Sequence, residues 1–160
     1  MARRLRSALQ VAGALAAAVV AATLLAAAMG LFSGQPPADL GLREGRLRGG
    51  DWRPNWVSSQ VPPGDHAHAI GALAFHAEPG AAWSALERAI LAEAGASLVA
   101  RRPGYLHAEF ASRLMGFIDD AEFVLDASAG LIHVRAGARL GIRDFGVNRA
   151  RIERIRGAIR

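Results

Sequence analysis

Cysteine and lysine are both absent from the 160-residue chain, and only 6% of it is aromatic. Without Cys there is no disulfide, thiolate zinc site, Cys nucleophile, lipidated N-terminal Cys or covalent c-type haem. Without Lys a Walker-type phosphate loop cannot be completed, because that loop needs a Lys on the terminal phosphates. All 19 basic residues are therefore Arg, set against 14 acids for a net charge of +5. Arg without Lys in an Ala-rich chain reflects a GC-rich coding sequence and says nothing of function. The hydrophobic share is 52% and, with so few aromatics, consists mainly of small aliphatic side chains.

Much of that share lies at one end. Residues 8–32 carry no charge, and Gln10 and Thr23 are the main polar interruptions. As a helix, residues 11–32 span about 33 Å, enough to cross a hydrocarbon core. Arg3, Arg4 and Arg6 precede them. The positive-inside rule then keeps the N-terminus in the cytoplasm and sends the rest across. The expectation is a single-pass protein of a bacterial inner membrane with a periplasmic domain, whose membrane partner is reached through residues 8–32. A cleaved signal peptide competes, since Ala26-Ala27-Ala28 offers a small-x-small cleavage pattern and release to the periplasm would follow. The apolar stretch outruns the roughly 7–15 residues of an ordinary signal core, which favours a retained anchor.

Three segments follow: an anchor or signal over residues 1–32, a linker over 33–50, and a domain over 51–160. Pro36-Pro37 and Gly49-Gly50 punctuate the second, which has no sustained apolar period. In the third, residues 70–76 read as a strand. Pro79 suits a first helical turn, and residues 81–94 carry Trp83, Leu86, Ile90 and Ala94 on one face, with Gly95 as the stop. Residues 96–102 read as a strand and Pro103-Gly104 as a turn. Residues 105–113 alternate, with Leu106, Ala108 and Phe110 inward and Tyr105, His107, Glu109 and Arg113 outward. Residues 121–126 and 131–136 form a hairpin with Phe123, Leu125, Ile132 and Val134 inward. Asn148 starts a terminal helix over 148–160, with Ile152, Ile155 and Ile159 as its buried stripe. The class is α+β: an antiparallel sheet of about five strands in the order β-α-β-β-β-β-α, two helices on one face and a polar second face, preceded by the N-terminal apolar helix.

A four-residue hairpin loop places Asp126 beside Leu131, Val124 opposite His133 and Glu122 opposite Arg135. A turn over 114–117 adds Glu109 opposite Glu122, with His107 and His133 one row along. Such a face is either an acid/base or ligand patch or a solvated surface with cross-strand ion pairs.

Three stretches carry a family resemblance: Pro54-Asn55-Trp56-Val57-Ser58-Ser59-Gln60, Asp119-Asp120-Ala121-Glu122-Phe123, and Gly141-Ile142-Arg143-Asp144-Phe145-Gly146-Val147-Asn148-Arg149. Residues 51–160 resemble the domain-of-unknown-function 1499 family across nearly their whole length. The resemblance implies a small α+β domain, often exported or membrane-attached in bacteria and with chloroplast relatives, and no activity. The matching residues are Asn55, Ser58, Ser59, Asp119, Asp120, Glu122, Arg135, Arg139, Asp144, Asn148 and Arg149. Trp56 replaces a usual Cys. Arg135-Ala136-Gly137-Ala138-Arg139 replaces an Arg-Ser-x-Ser-Arg pattern, so no serine nucleophile carries over.

Asp119, Asp120, Glu122, Arg135, Arg139, Asp144, Asn148 and Arg149 are therefore the candidate ligand-binding residues. Adjacent Asp119 and Asp120, read as preceding a strand, can bind a hard cation or sit in a solvated turn. Arg135 and Arg139 are forked donors for an anion, or for Asp119, Asp120 or Asp144. Asp144 can bond the free N–H groups of a helix start, with Gly146 at positive φ. His66, His68 and His76 are ligand types for zinc but lack an evident fourth partner. Ser58-Ser59 lacks a nucleophile-elbow setting and an evident base. No cofactor or metal is assigned.

Residues 51–134 hold five Arg against ten acids, and residues 135–160 hold eight Arg against two. The two halves can attract each other, or the basic helix can face anionic lipid through Arg151, Arg154 and Arg156. Nucleic acid is not an expected partner of an exported domain; an anionic lipid or small anionic ligand is. The functional expectation is an uncharacterised, membrane-anchored, extracytoplasmic binding or envelope-associated module without catalysis. The alternative is an enzyme or metal-dependent protein using Asp119, Asp120, Glu122 and Arg135.

Overall fold

Pro79 sits in the first turn of α2 (Pro79–Ala92), where its missing N–H costs nothing. The helix ends before Gly95, whose φ of 71° suits glycine and where a Cβ would lie 2.1 Å from the Ala111 carbonyl oxygen. Around this helix the computed structural model, which describes residues 2–159, places α1 (Ala2–Ala28), β1 (Leu42–Arg43), β2 (Arg46–Leu47), β3 (Trp56–Ser58), β4 (Leu73–Ala74), β5 (Ala96–Arg102), β6 (Tyr105–Ala111), β7 (Ile118–Asp126), β8 (Leu131–Ala138) and α3 (Val147–Ala158). Arg160, the last residue of the expected terminal helix, lies outside the described residues.

The α+β class is as expected, with six strands in the main sheet. Their order is β3-β8-β7-β6-β5, all antiparallel, and β4 also pairs with β8. The outer edge of β8 is thus shared by two short strands. The expected strand over 70–76 shrinks to two residues, and β3 is a strand that periodicity misses, because three residues are too few to establish an alternation.

Period-2 alternation builds the core. Leu106, Ala108 and Phe110 from β6, Ala121 and Phe123 from β7, and Ile132, Val134 and Ala136 from β8 are all buried on one face. Leu86 and Ile90 of α2 and Ile152 and Ile155 of α3 close over them. Each large side chain so buried contributes about 1.5–3 kcal/mol. Trp83 and Ile159 pack at the margin, and Ala94, expected on the buried face, lies beyond the helix end and is exposed.

The second face is not left open. The segment read as a linker crosses it as a strap. Glu44 and Gly45, both at positive φ, turn β1 into β2, as a two-residue hairpin loop of the I′ type requires. Leu47 is buried, and its N–H donates to Gln60 Oε1 at 2.8 Å. Further up the strap, the Gly41 N–H donates to Glu122 Oε1. The partners that hold this segment lie elsewhere in the chain, so its Pro- and Gly-rich composition conceals them.

If the strap is part of the fold, Leu47→Ala will lower unfolding free energy by about 2 kcal/mol or more, as for other buried leucines. A residue in a free linker would change it by no more than about 0.5 kcal/mol. Urea denaturation of the two proteins measures the difference.

Candidate functional site

The hairpin register is as expected: Glu122 pairs with Arg135, Val124 with His133 and Asp126 with Leu131. On the other side of β7 the register differs. Strand β6 stops at Ala111, two residues short of the expected 105–113, and Ala111 pairs with Ile118, so Glu109 faces Asp120 and His107 faces Glu122. The expected turn over 114–117 is a longer connection over 112–117. The shift is two residues, which keeps every side chain on its face and moves it one row along.

Asp119 and Asp120 lie within β7 and not in a loop before it. Successive strand residues point to opposite faces, so the two carboxylates are parted. Asp120 turns to the strap side. Its carboxylate accepts two bonds from Arg139, at 2.8 and 2.9 Å, and meets His107 Nε2 at 2.8 Å. Arg139 also donates to Glu109. Burial pushes the Asp120 carboxyl up, but the bonds from Arg139 and His107 more than offset it and hold the group below the usual Asp value. The same two carboxylates hold the Arg139 guanidinium above its ordinary value.

Glu122, also on the strap side, is 1% exposed. Its Oε1 accepts from the Tyr105 hydroxyl at 2.7 Å and from Gly41, and its Oε2 accepts from Arg135 at 3.1 Å. Arg135 reaches on to Asp39 Oδ2 in the strap at 2.8 Å. Burial and the bond to Glu122 push the Tyr105 hydroxyl well up. Asp39, Gly41 and Tyr105 are members of this network that sequence reasoning did not pick out. A cavity of about 240 Å³ lies between strap and sheet, bordered by Pro37, Asp39, Asp51, Trp56, Asp120 and Arg135.

Asp119 faces the helices. Arg151 donates to it at 2.8 Å and to Asn148 Oδ1 at 2.7 Å while lying over the Phe110 ring. Burial pushes Asp119 up, and Arg151 opposes that only in part. Asp144 does what its position suggested: it accepts from the N–H groups of Gly146 and Asn148 at the start of α3. Gly146 has a φ of 80° and is itself the cap residue, so Asn148 lies inside the helix, buried, and does not cap it. Arg149 donates to the carbonyls of Ala69 and Ala67, tying α3 to the loop before β4.

The eight candidates thus divide into three sets. Asp120, Glu122, Arg135 and Arg139 share the strap side, Asp119, Asp144 and Asn148 gather at the N-terminus of α3, and Arg149 binds backbone apart from both. The two halves of the charge distribution meet in these pairs. The terminal-helix arginines are engaged as well: Arg154 with Glu93, and Arg156 with Glu153 and the carbonyls of Gly71 and Ala72.

His107, Glu109 and Asp120 bring ligand atoms within 4.8 Å of one another, a spacing that suits a cation. The Arg139 guanidinium already bonds both carboxylates there. His68 bonds Asp65 at 2.8 Å, contacts the Arg53 carbonyl and stacks on Trp56 at 4.0 Å, so a zinc grouping with His66 and His76 does not assemble around it. Ser59 does meet a base that sequence separation hid, with its Oγ 3.3 Å from His133 Nδ1. That Oγ also accepts the Val134 N–H at 2.9 Å, which commits it to joining the chain to β8.

Trp56 is seated by two glycines. A Cβ at Gly50 would lie 2.6 Å from its indole ring, and one at Gly137 would lie 2.7 Å from its Cβ. Ala136 and Ala138 point away from the Asp120 side, because Arg135, Gly137 and Arg139 take that face.

These features define a small α+β domain with a strapped, charge-paired sheet. The family described as "Protein of unknown function (DUF1499)" matches residues 51–159, and the chain belongs to it. No curated protein and no solved structure matches the chain.

The lowered Asp120 value has a definite sign. The unfolded chain takes up its proton near 3.8 while the folded carboxylate is still charged. Stability from this group is therefore present above 3.8 and lost as pH falls through the folded value. Asp120→Asn will flatten that acid limb, and at pH 7 will cost about 1–3 kcal/mol, since Arg139 loses its charged bonds to Asp120 but keeps Glu109. Urea titrations of both proteins between pH 7 and 2 measure both effects.

Proposed function

We propose that this protein is a membrane-tethered binding module with no catalytic residues in its carboxylate cluster. The observation that carries the reading is internal neutralisation: Asp119 is held by Arg151, Asp120 by Arg139 and Glu122 by Arg135. A general acid or base needs a group free to exchange its proton with substrate, and these groups are committed to holding the domain together. An enzyme or metal site using Asp119, Asp120, Glu122 and Arg135 has less support, since Asp119 lies on the opposite face from the other three.

The tether is α1. Its stretch from Arg6 to Ala28 is 23 residues long and apolar enough to cross a membrane or to act as a signal sequence. Leu9, Val11, Leu15, Val19 and Val20 are exposed along it, so the domain does not cover them. A bilayer would, and Arg3, Arg4 and Arg6 would keep the N-terminus in the cytoplasm and the domain in the periplasm.

Alkaline extraction of membranes, with protease added to spheroplasts, tests this. Full-length chain will stay in the pellet, and its domain will be cut from outside. A soluble chain shortened by about 28 residues would instead identify a signal peptide.

A further inference from the structure

Around one end of the domain, apolar side chains face outward. Leu114 and Phe117, in the connection between β6 and β7, are exposed, as are Leu140, Ile142 and Phe145 between β8 and α3. Phe145 is 93% exposed. It also holds a φ of 54°, a region that disfavours bulky aromatics and is far easier for Asn or Gly. Gly146 follows at 80°, so two successive left-handed residues turn the ring away from the core. Neither packing nor backbone preference accounts for a Phe there. Strain kept at an exposed position points to something outside the fold.

Between these loops lies a groove of about 610 Å³, within the usual range of small-molecule pockets, roughly 300–1,000 Å³. Phe110 and Ala138 contribute to its lining deeper in, and Phe117, Leu140, Phe145 and Val147 line it towards solvent. Arg113 and Arg143 are exposed at its rim and form no ion pair among the described residues. They differ in this from Arg151 and Arg154, which also border the groove and are held by Asp119 and Glu93.

The groove lies where α1 meets the domain. The Phe32 ring, just past α1, packs on Phe117 with centroids 5.6 Å apart. A Cβ at Gly116 would lie 3.6 Å from the Ala27 carbonyl oxygen, and one at Gly34 would lie 3.0 Å from Leu140 Cγ. The apolar rim and its two unpaired arginines are therefore neighbours of the helix end that would emerge from a bilayer. Apolar tips beside Arg are the composition of a surface that enters the headgroup layer and holds phosphates.

We propose that this groove receives one acyl chain of an anionic phospholipid from the bilayer that α1 enters, with Arg113 and Arg143 on its phosphate. The proposal rests on the tethered reading of α1. The chain lies among Phe117, Leu140, Phe145 and Val147, and the phosphate stays at the rim. Phe145 closes over the chain, which is the role that its unfavourable backbone serves.

The test uses the full chain in nanodiscs of equal phosphatidylglycerol and phosphatidylcholine, with native mass spectrometry after gentle detergent release. One phosphatidylglycerol will be retained per chain in preference to phosphatidylcholine. Arg113→Gln with Arg143→Gln will reduce that preference by about 30-fold, the combined effect of two Arg at an anionic surface. Phe145→Asn will lower retention of both lipids while leaving the melting temperature unchanged or raised, since Asn accepts the left-handed conformation. A full-length chain that enters the discs but retains no phosphatidylglycerol, or retains it equally in all variants, overturns the groove proposal alone. A chain that stays out of the discs overturns the tether and the groove proposal with it.

Discussion

A carboxylate taken out of water needs a cation within reach, and β7 carries three such groups within four residues. Asp119, Asp120 and Glu122 each find a different arginine, at separations of 32, 19 and 13 residues along the chain. The three arginines come from α3, from the segment just after β8 and from β8 itself. Satisfying one strand therefore places a helix, a loop and a neighbouring strand. Through Asp39 and Gly41 the same requirement draws in the strap. Buried ion pairs are modest contributors to net stability compared with well-packed apolar groups, but removing one partner is costly. Their effect here is to join distant parts of the sequence at defined points, with hydrogen bonds completing the shell of each charge.

Much of the fold was legible because it rests on local pattern. The alternation in residues 105–111 and 131–136, the helical period from Leu86 to Ile90 and the glycine stop at Gly95 each express backbone geometry over a few residues. The hairpin register followed from loop length alone, which is why Glu122 could be set opposite Arg135. Legibility ended where partners come from far away. The connection after β6 is longer than its composition suggests, which moved Glu109 from Glu122 to Asp120. β3 is too short to alternate, and the strap has no apolar period because only Leu47 is deeply buried in it. Asp119 and Asp120 looked like a pair only while they were read as a loop. Once they belong to a strand, adjacency in sequence means opposite faces in space.

The surroundings of Trp56 and the small residues of β8 are mutually consistent. A Trp at position 56 needs room, and Gly50 and Gly137 supply it on either side. His68 completes the setting by stacking on the indole and fixing its own ring through Asp65 and the Arg53 carbonyl. Ala136 and Ala138 stay clear of the Arg139–Asp120 pair, because those positions belong to the other face of β8.

The strap also sets a length. Ten residues, 29–38, separate the end of α1 from Asp39, the first strap residue that the sheet holds by its side chain. Fully extended they could reach at most about 35 Å, but Phe32 on Phe117 and Gly34 beside Leu140 hold them against the domain. The grips of Arg135 on Asp39 and of Glu122 on Gly41 thus come second along the strap, behind the contacts of Phe32 and Gly34, and fasten the same segment at two successive points.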